Sequence, residues 1–192
     1  GYIDHSPITV KPLPEFPQIS HDTQKQKPER LTLYKAEMKN GVDPSGNSDC
    51  TSGLQKLLDQ AAAEGGGIVS LPSGTYRFNG NLNIPSGVEL KGAIDNSTTP
   101  VGGGSIIQVY NGKGDENGTP FITMQKNSGL RGVTINYPEQ KSSLLPDNIL
   151  KYPYTVQVQG EDVYIVNIAI RAAYRGFDLF TYKCDNHYID YI

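Results

Sequence analysis

Only one stretch of the chain carries a helical period. Leu54, Leu57, Leu58, Ala61 and Ala62 fall at i, i+3, i+4, i+7 and i+8 and make a single apolar stripe. Ser48, Asp49 or Thr51 can cap its start. Gly65, Gly66 and Gly67 can end it, because glycine tolerates the left-handed position after a helix. The pattern predicts a helix over about 51–64, too short to stand without something to pack on.

From Ile68 onward that period is absent. Short β-type runs replace it: Ile68–Leu71, Thr75–Phe78, Val88–Leu90, Ser105–Val109, Phe121–Met124, Val133–Ile135, Thr155–Val158, Val163–Ile170, Phe177–Phe180 and His187–Ile192. Each is bounded by Gly, Asn, Asp or Pro. Strands this short and this dense imply a sandwich, a barrel or a solenoid. Residues 1–32 differ from the rest, with Pro7, Pro12, Pro14, Pro17 and Pro28 and few apolar positions. They read as an extended Pro-rich lead-in, with 33–192 as the folded unit.

A repeat decides among the three architectures. The pattern apolar, any, small or Asn, apolar recurs as Leu90-Lys91-Gly92-Ala93, Leu130-Arg131-Gly132-Val133, Ile165-Val166-Asn167-Ile168 and Ile189-Asp190-Tyr191-Ile192. The first positions are 130 − 90 = 40, 165 − 130 = 35 and 189 − 165 = 24 residues apart. A bare solenoid coil of three short strands takes roughly 20–25 residues. The longer intervals are then coils carrying loops, at 94–104, 111–119 and 137–153.

Composition fits that picture. Of 192 residues, 21 are Gly and 13 Pro, which supplies many corners. A formal net charge of −3 speaks against a non-specific nucleic-acid binder. No apolar run is long enough to span a membrane. Cys50 and Cys184 show no metal-ligand spacing and read as two buried free thiols or, if the fold joins them, a pair. Asn96-Ser97-Thr98 and Asn117-Gly118-Thr119 match the N-glycosylation pattern, which matters only in a secreting eukaryote.

The stretch Gly41 to Ala93 resembles the N-terminal signature of the pectate-lyase-like superfamily, in its rhamnogalacturonase/epimerase-like and phage-tailspike branch. The carrying residues are Asn40-Gly41-Val42, Ser48-Asp49-Cys50-Thr51, the helix, Gly65-Gly66-Gly67-Ile68-Val69-Ser70-Leu71-Pro72-Ser73-Gly74-Thr75-Tyr76, and Leu82 to Gly92. The resemblance implies an all-β fold, a right-handed single-stranded parallel β-helix with an N-terminal capping α-helix. Because the strand pattern runs to Ile192, we read the chain as an incomplete N-terminal portion. The remainder of the β-helix, from the same polypeptide or another chain, would stack on residues 187–192.

The resemblance also implies a secreted, periplasmic or cell-surface enzyme acting on a polysaccharide or oligosaccharide in a loop-walled groove. A glycoside hydrolase is the first expectation. A polysaccharide lyase, or a non-catalytic glycan-binding, spike or adhesin module, is the alternative. Hydrolysis needs no cofactor, whereas the lyase branch uses calcium. The polygalacturonase motifs Asn-Thr-Asp, Asp-Asp, Gly-His-Gly and Arg-Ile-Lys are missing from this sequence.

Candidate chemistry gathers between Arg171 and His187. Alternation puts Phe177 and Leu179 inward and Asp178 outward. Asp178 and Asp185 are the candidate acid/base pair, since inverting hydrolysis needs two carboxyl groups about 6.5–9.5 Å apart. Arg171, Tyr174, Arg175, Lys183 and His187 are the candidate substrate contacts. The same residues also fit solvated turn charges. Eight of the twelve Tyr lie from Tyr137 onward, and those of the Tyr137–Tyr154 loop have the better claim to sugar contact.

Overall fold

The computed structural model describes residues 32–93, 104–141 and 148–192. Residues 1–31 of the 1–32 lead-in, the Asn96 sequon and most of the 94–104 insert lie outside the described residues. The elements are β1 (Leu33–Lys35), β2 (Ser45–Asp49), α1 (Thr51–Ala63), β3 (Gly67–Ser70), β4 (Gly74–Phe78), β5 (Leu82–Ile84), β6 (Val88–Lys91), β7 (Ser105–Val109) and β8 (Ile122–Met124). They continue with β9 (Gly129–Arg131), β10 (Val133–Asn136), β11 (Tyr154–Val158), β12 (Tyr164–Val166), β13 (Ala169–Arg171), β14 (Arg175–Asp178) and β15 (Tyr188–Asp190).

Among the described residues every strand pairing is parallel. The first sheet runs β1-β3-β6-β9-β12-β15, the second β2-β4-β7-β10-β13 and the third β5-β8-β11-β14. The chain visits the three in a fixed cycle, so β3-β4-β5, β6-β7-β8, β9-β10-β11 and β12-β13-β14 are four successive coils. This is the parallel β-helix that the repeat implies. In the coil before them, β1 and β2 are followed by α1, which stands where a third-sheet strand would.

Helix α1 covers the first full coil. It buries Leu54, Leu57, Leu58 and Ala61 against the core, while Ala62 is half-buried. Its end is a Schellman turn. Gly66 N–H donates to the Ala61 carbonyl (2.8 Å) and Gly65 N–H to that of Ala62 (3.1 Å), with Gly65 at φ 97°. At the start Cys50 stands at the cap without a side-chain capping bond, its Sγ accepting the Asp43 N–H instead at 3.3 Å. Asp49 serves the turn instead, accepting from the Thr51 N–H at 3.1 Å and the Thr51 hydroxyl at 2.6 Å.

Inside the coils, like side chains stack at each register position. Val69, Leu90, Leu130, Ile165 and Ile189 form one such column in the first sheet. Leu82, Ile122, Val156 and Phe177 form another in the third. The corners repeat as well. Gly87, Asn127, Asp162 and Asn186 each precede a first-sheet strand at φ 76°, 58°, 57° and 57°. After those strands, Gly132, Asn167 and Tyr191 turn at φ 72°, 53° and 54°. At Gly132 and Asn167 the small-or-Asn position of the repeat is therefore a left-handed corner, which Gly and Asn tolerate best, whereas Gly92 is not left-handed and a Cβ there would run into the Gly132 carbonyl.

Two sequence expectations change. The run Val163–Ile170 is not one strand but β12 and β13, broken at Asn167. The run at Phe177–Phe180 begins earlier, at Arg175, and stops at Asp178. Cys50 and Cys184 are both buried and free.

Candidate functional site

The third sheet carries the candidate site on its outer side. In Leu82-Asn83-Ile84, Ile122-Thr123-Met124 and Val156-Gln157-Val158 the flanking apolar residues are buried and point inward. Alternation turns the middle residue out. The register then lines up Asn83, Thr123, Gln157 and Asp178 across four coils.

These side chains, with Gln125 and Gln159, bond to one another. Thr123 Oγ1 donates to Asn83 Oδ1 at 3.1 Å, and Gln125 Nε2 donates to the same oxygen at 2.8 Å. Gln125 Nε2 also reaches Gln159 Oε1 at 2.9 Å. Gln159 Nε2 donates to Gln157 Oε1 at 2.7 Å, and Gln157 Nε2 to Asp178 Oδ2 at 2.8 Å. On the far side, Gln55 of α1 brackets the backbone of Asn83, donating to its carbonyl and accepting from its N–H. From Gln125 to Asp178 every amide donates in one direction, so the row is polarised toward the carboxylate.

Asp178 closes the row and orders the turn after β14. Its Oδ1 accepts the N–H of Phe180 at 3.2 Å and of Thr181 at 3.1 Å. Burial works to raise its pKa, but the bonds from Thr181, Gln157 and Phe180 outweigh it and hold the carboxyl below its ordinary value. Only 1% of Asp178 is exposed, so it sits outward in the strand yet under cover of its neighbours.

One wall of this face is built on Glu116. Its Oε1 accepts Lys151 Nζ at 2.7 Å, and its Oε2 accepts the Tyr174 hydroxyl at 3.0 Å and Arg175 Nη2 at 3.4 Å. The Glu116 carbonyl takes Arg175 Nη1 at 2.9 Å. Gly114 N–H to the Lys151 carbonyl (2.8 Å) and the Lys113–Glu139 pair (2.6 Å) tie the same loop to the next insert. The bond from Lys151 is the main reason the Glu116 carboxyl is held low. Arg175 lies 5.2 Å from the ring centre of Tyr154, and Phe180 meets Tyr154 edge-on at 6.4 Å.

The amino-acid family model described as rhamnogalacturonase A/epimerase, pectate lyase-like matches residues 38–137. The chain belongs to this family. Among curated proteins no match is found. Of solved structures, the A-module of mannuronan C-5 epimerase AlgE4 from Azotobacter vinelandii superposes with a TM-score of 0.56 at 24% identity, over 76% of this chain and 40% of that one. The A-module of AlgE6 from the same organism gives 0.58 at 23%, over 76% and 39%. ORF18 of Geobacillus virus E2 gives 0.51 at 17%, over 71% and 25%. These likenesses establish the shared β-helix fold. The chain spans about 40% of the length of the epimerase modules it resembles.

Within this pectate-lyase-like chain the sequence candidates fall into separate groups. Tyr174 and Arg175 join the Glu116 wall, and Asp178 joins the polar row. Asp185 lies beyond β14 on an exposed turn, with its own partner Lys183 at 3.4 Å. Lys183 pairs more closely with Glu161, at 3.0 Å. His187 Nδ1 is 2.7 Å from the Cys184 carbonyl, which fixes its ring to the backbone. Arg171 is exposed at the end of β13. The two candidate carboxylates thus have separate sets of partners.

The loop tyrosines need a correction. Tyr137 and Tyr152 are buried and pack ring to ring at 4.7 Å, with the Tyr137 hydroxyl 2.8 Å from Thr155 Oγ1. They are core, not sugar contacts. Sequence reasoning named Tyr154 and Asp178 but missed Glu116, Lys151 and the rest of the polar row, Asn83, Thr123, Gln125, Gln157 and Gln159. The row had a signal, an apolar-polar-apolar triplet in the same frame of each coil. Among the described residues, no group of three or more His, Cys, Asp or Glu is placed to hold a metal ion, and no helix is long and apolar enough to cross a membrane.

Proposed function

We propose that the chain is the N-terminal portion of a secreted carbohydrate-active enzyme, a glycoside hydrolase that binds a complex polysaccharide along the outer face of the third sheet. The observation that carries this reading is the continuous hydrogen-bonded row from Asn83 to Asp178. Strands stack about 4.8 Å apart, so four rungs span about 14 Å along the coil axis. That is room for several pyranose units, each meeting amide donors and acceptors suited to hydroxyl groups.

Asp178 is the base in this reading, since its surroundings keep it ionised. Asp185, exposed on the following turn, is the partner acid. Arg171, Tyr174, Arg175, Lys183 and His187 flank the chain of sugars. Further coils, from the same polypeptide or another chain, stack on residues 187–192 and lengthen the groove. The 40% coverage of the epimerase modules supports that extension.

The test is an assay on a panel of plant and bacterial polysaccharides, reading new reducing ends and the ultraviolet absorbance of unsaturated uronates. Hydrolysis gives the first without the second. Unsaturated ends would replace the hydrolase with a lyase, and neither product would leave a binding module. Asp178→Asn and Asp185→Asn are assayed separately, and full activity in both would sink the residue assignment.

A further inference from the structure

Phe180 is a large apolar side chain left 76% exposed, yet it is fixed in position. The Asp178 carboxylate holds the backbone of its turn through the Phe180 and Thr181 N–H groups. Its ring meets Tyr154 edge-on, with an interplanar angle of 76°. Tyr154 in turn lies under the guanidinium of Arg175, which Glu116 anchors from the neighbouring loop. An exposed aromatic ring is thus held from two sides beside a guanidinium.

We infer that Phe180 and Tyr154 form a stacking subsite for one pyranose ring, with the Arg175 guanidinium at its polar edge. The inference rests on the polysaccharide reading above and adds residues to it. A pyranose has faces of C–H groups and a rim of hydroxyls. An aromatic face flanked by a guanidinium matches both features. The geometry also lowers the cost of binding, because a ring already ordered loses little freedom when a sugar arrives. The amide row offers only polar contacts, so this pair supplies the apolar half of the recognition.

Isothermal titration calorimetry on the intact chain tests this with two probes, 1,4-linked hexagalacturonate and cellohexaose. The variants are Phe180→Ala, Phe180→Leu and Phe180→Tyr, each checked by its melting curve. At least one probe binds the parent chain. Phe180→Ala and Phe180→Leu weaken that binding by about tenfold, and Phe180→Tyr keeps it within about twofold. The leucine variant preserves apolar bulk and removes the ring, so its loss reports stacking. Binding that is unchanged in both Phe180→Ala and Phe180→Leu overturns the subsite and leaves the polysaccharide reading standing. A parent chain that binds neither probe overturns that reading and the subsite with it.

Discussion

Tyr164 donates its phenol O–H to the carboxylate of Glu89 across an intervening coil. Register places Glu89 opposite Gly129 and Gly129 opposite Tyr164, so the ring lies over the glycine. A Cβ on Gly129 would run into that ring. Arg131 completes the set, reaching Glu89 Oε1 from Nη2 at 2.6 Å and Nε at 3.1 Å. Glu89 is only 4% exposed, so both partners matter. Gly129→Ala should cost about 1–3 kcal/mol by forcing the ring away. Tyr164→Phe should cost about 1.5–3 kcal/mol by leaving a buried carboxylate oxygen short of a donor. Urea midpoints measure both. The double variant should lose less than the sum, because both changes strike one contact. Strictly additive losses would show that the two act separately.

Asp178 makes the fold sensitive to acid. Its folded-state pKa is lowered from the ordinary 3.8, with burial opposing and the bonds from Thr181, Gln157 and Phe180 prevailing. A depressed carboxyl stabilises the fold above its unfolded value, and that contribution is lost as pH falls from there through the folded value. Asp178→Asn should therefore lower stability near neutrality by about 1–3 kcal/mol. It should also flatten the acid limb of the stability profile. Denaturant midpoints measured down through the carboxylate range decide this. An acid limb as steep in the variant as in the parent would assign the sensitivity elsewhere.

Glu116 should matter to the loop wall more than to global stability. Its pairs with Lys151 and Arg175 are partly exposed, and such pairs contribute about 0–1 kcal/mol. Glu116 is held below its ordinary 4.5, first by the Lys151 bond, and Lys151 is raised above 10.5 by the same contact. The clasp is thus complete above the carboxylate range and below the ordinary lysine value, and it opens beyond either limit. Glu116→Gln should speed proteolytic cutting within 111–119 at neutral pH while the melting temperature stays within a few degrees. Acidifying the parent should have the same effect. Equal cutting of parent and variant at neutral pH would show that the clasp does not order the loop.

The fold was legible because its parts are written locally. The stripe from Leu54 to Ala62, the Gly65–Gly67 stop and the recurring small-or-Asn position each describe a few adjacent residues. The site was less legible because it is written across coils. Asn83 and Gln125 are 42 residues apart and meet only through the parallel register. Glu116 gathers partners 35, 58 and 59 residues away, through loops of unequal length that no period reveals. The loop tyrosines misled for the opposite reason. Tyr137 and Tyr152 sit in a polar, Pro-rich insert, yet their rings fill the space between the coil and its own loop.

The left-handed corners give a test of the repeat itself. Asn167 turns between β12 and β13 at φ 53°, with its N–H donating to the Asp190 carbonyl of the next coil at 3.1 Å. A β-branched residue pays heavily at positive φ, because its Cβ crowds the following carbonyl oxygen. Asn167→Val should cost about 1–2 kcal/mol, whereas Asn167→Gly should hold stability within about 1 kcal/mol. The paired corner Gly132, one coil earlier at φ 72°, should rank the same way, with Gly132→Asn milder than Gly132→Val. Chemical denaturation of the four variants gives the ranking. A valine as well tolerated as glycine at Asn167 would mean that the corner relaxes out of the left-handed region. The recurring motif would then owe its small third position to packing rather than to backbone geometry.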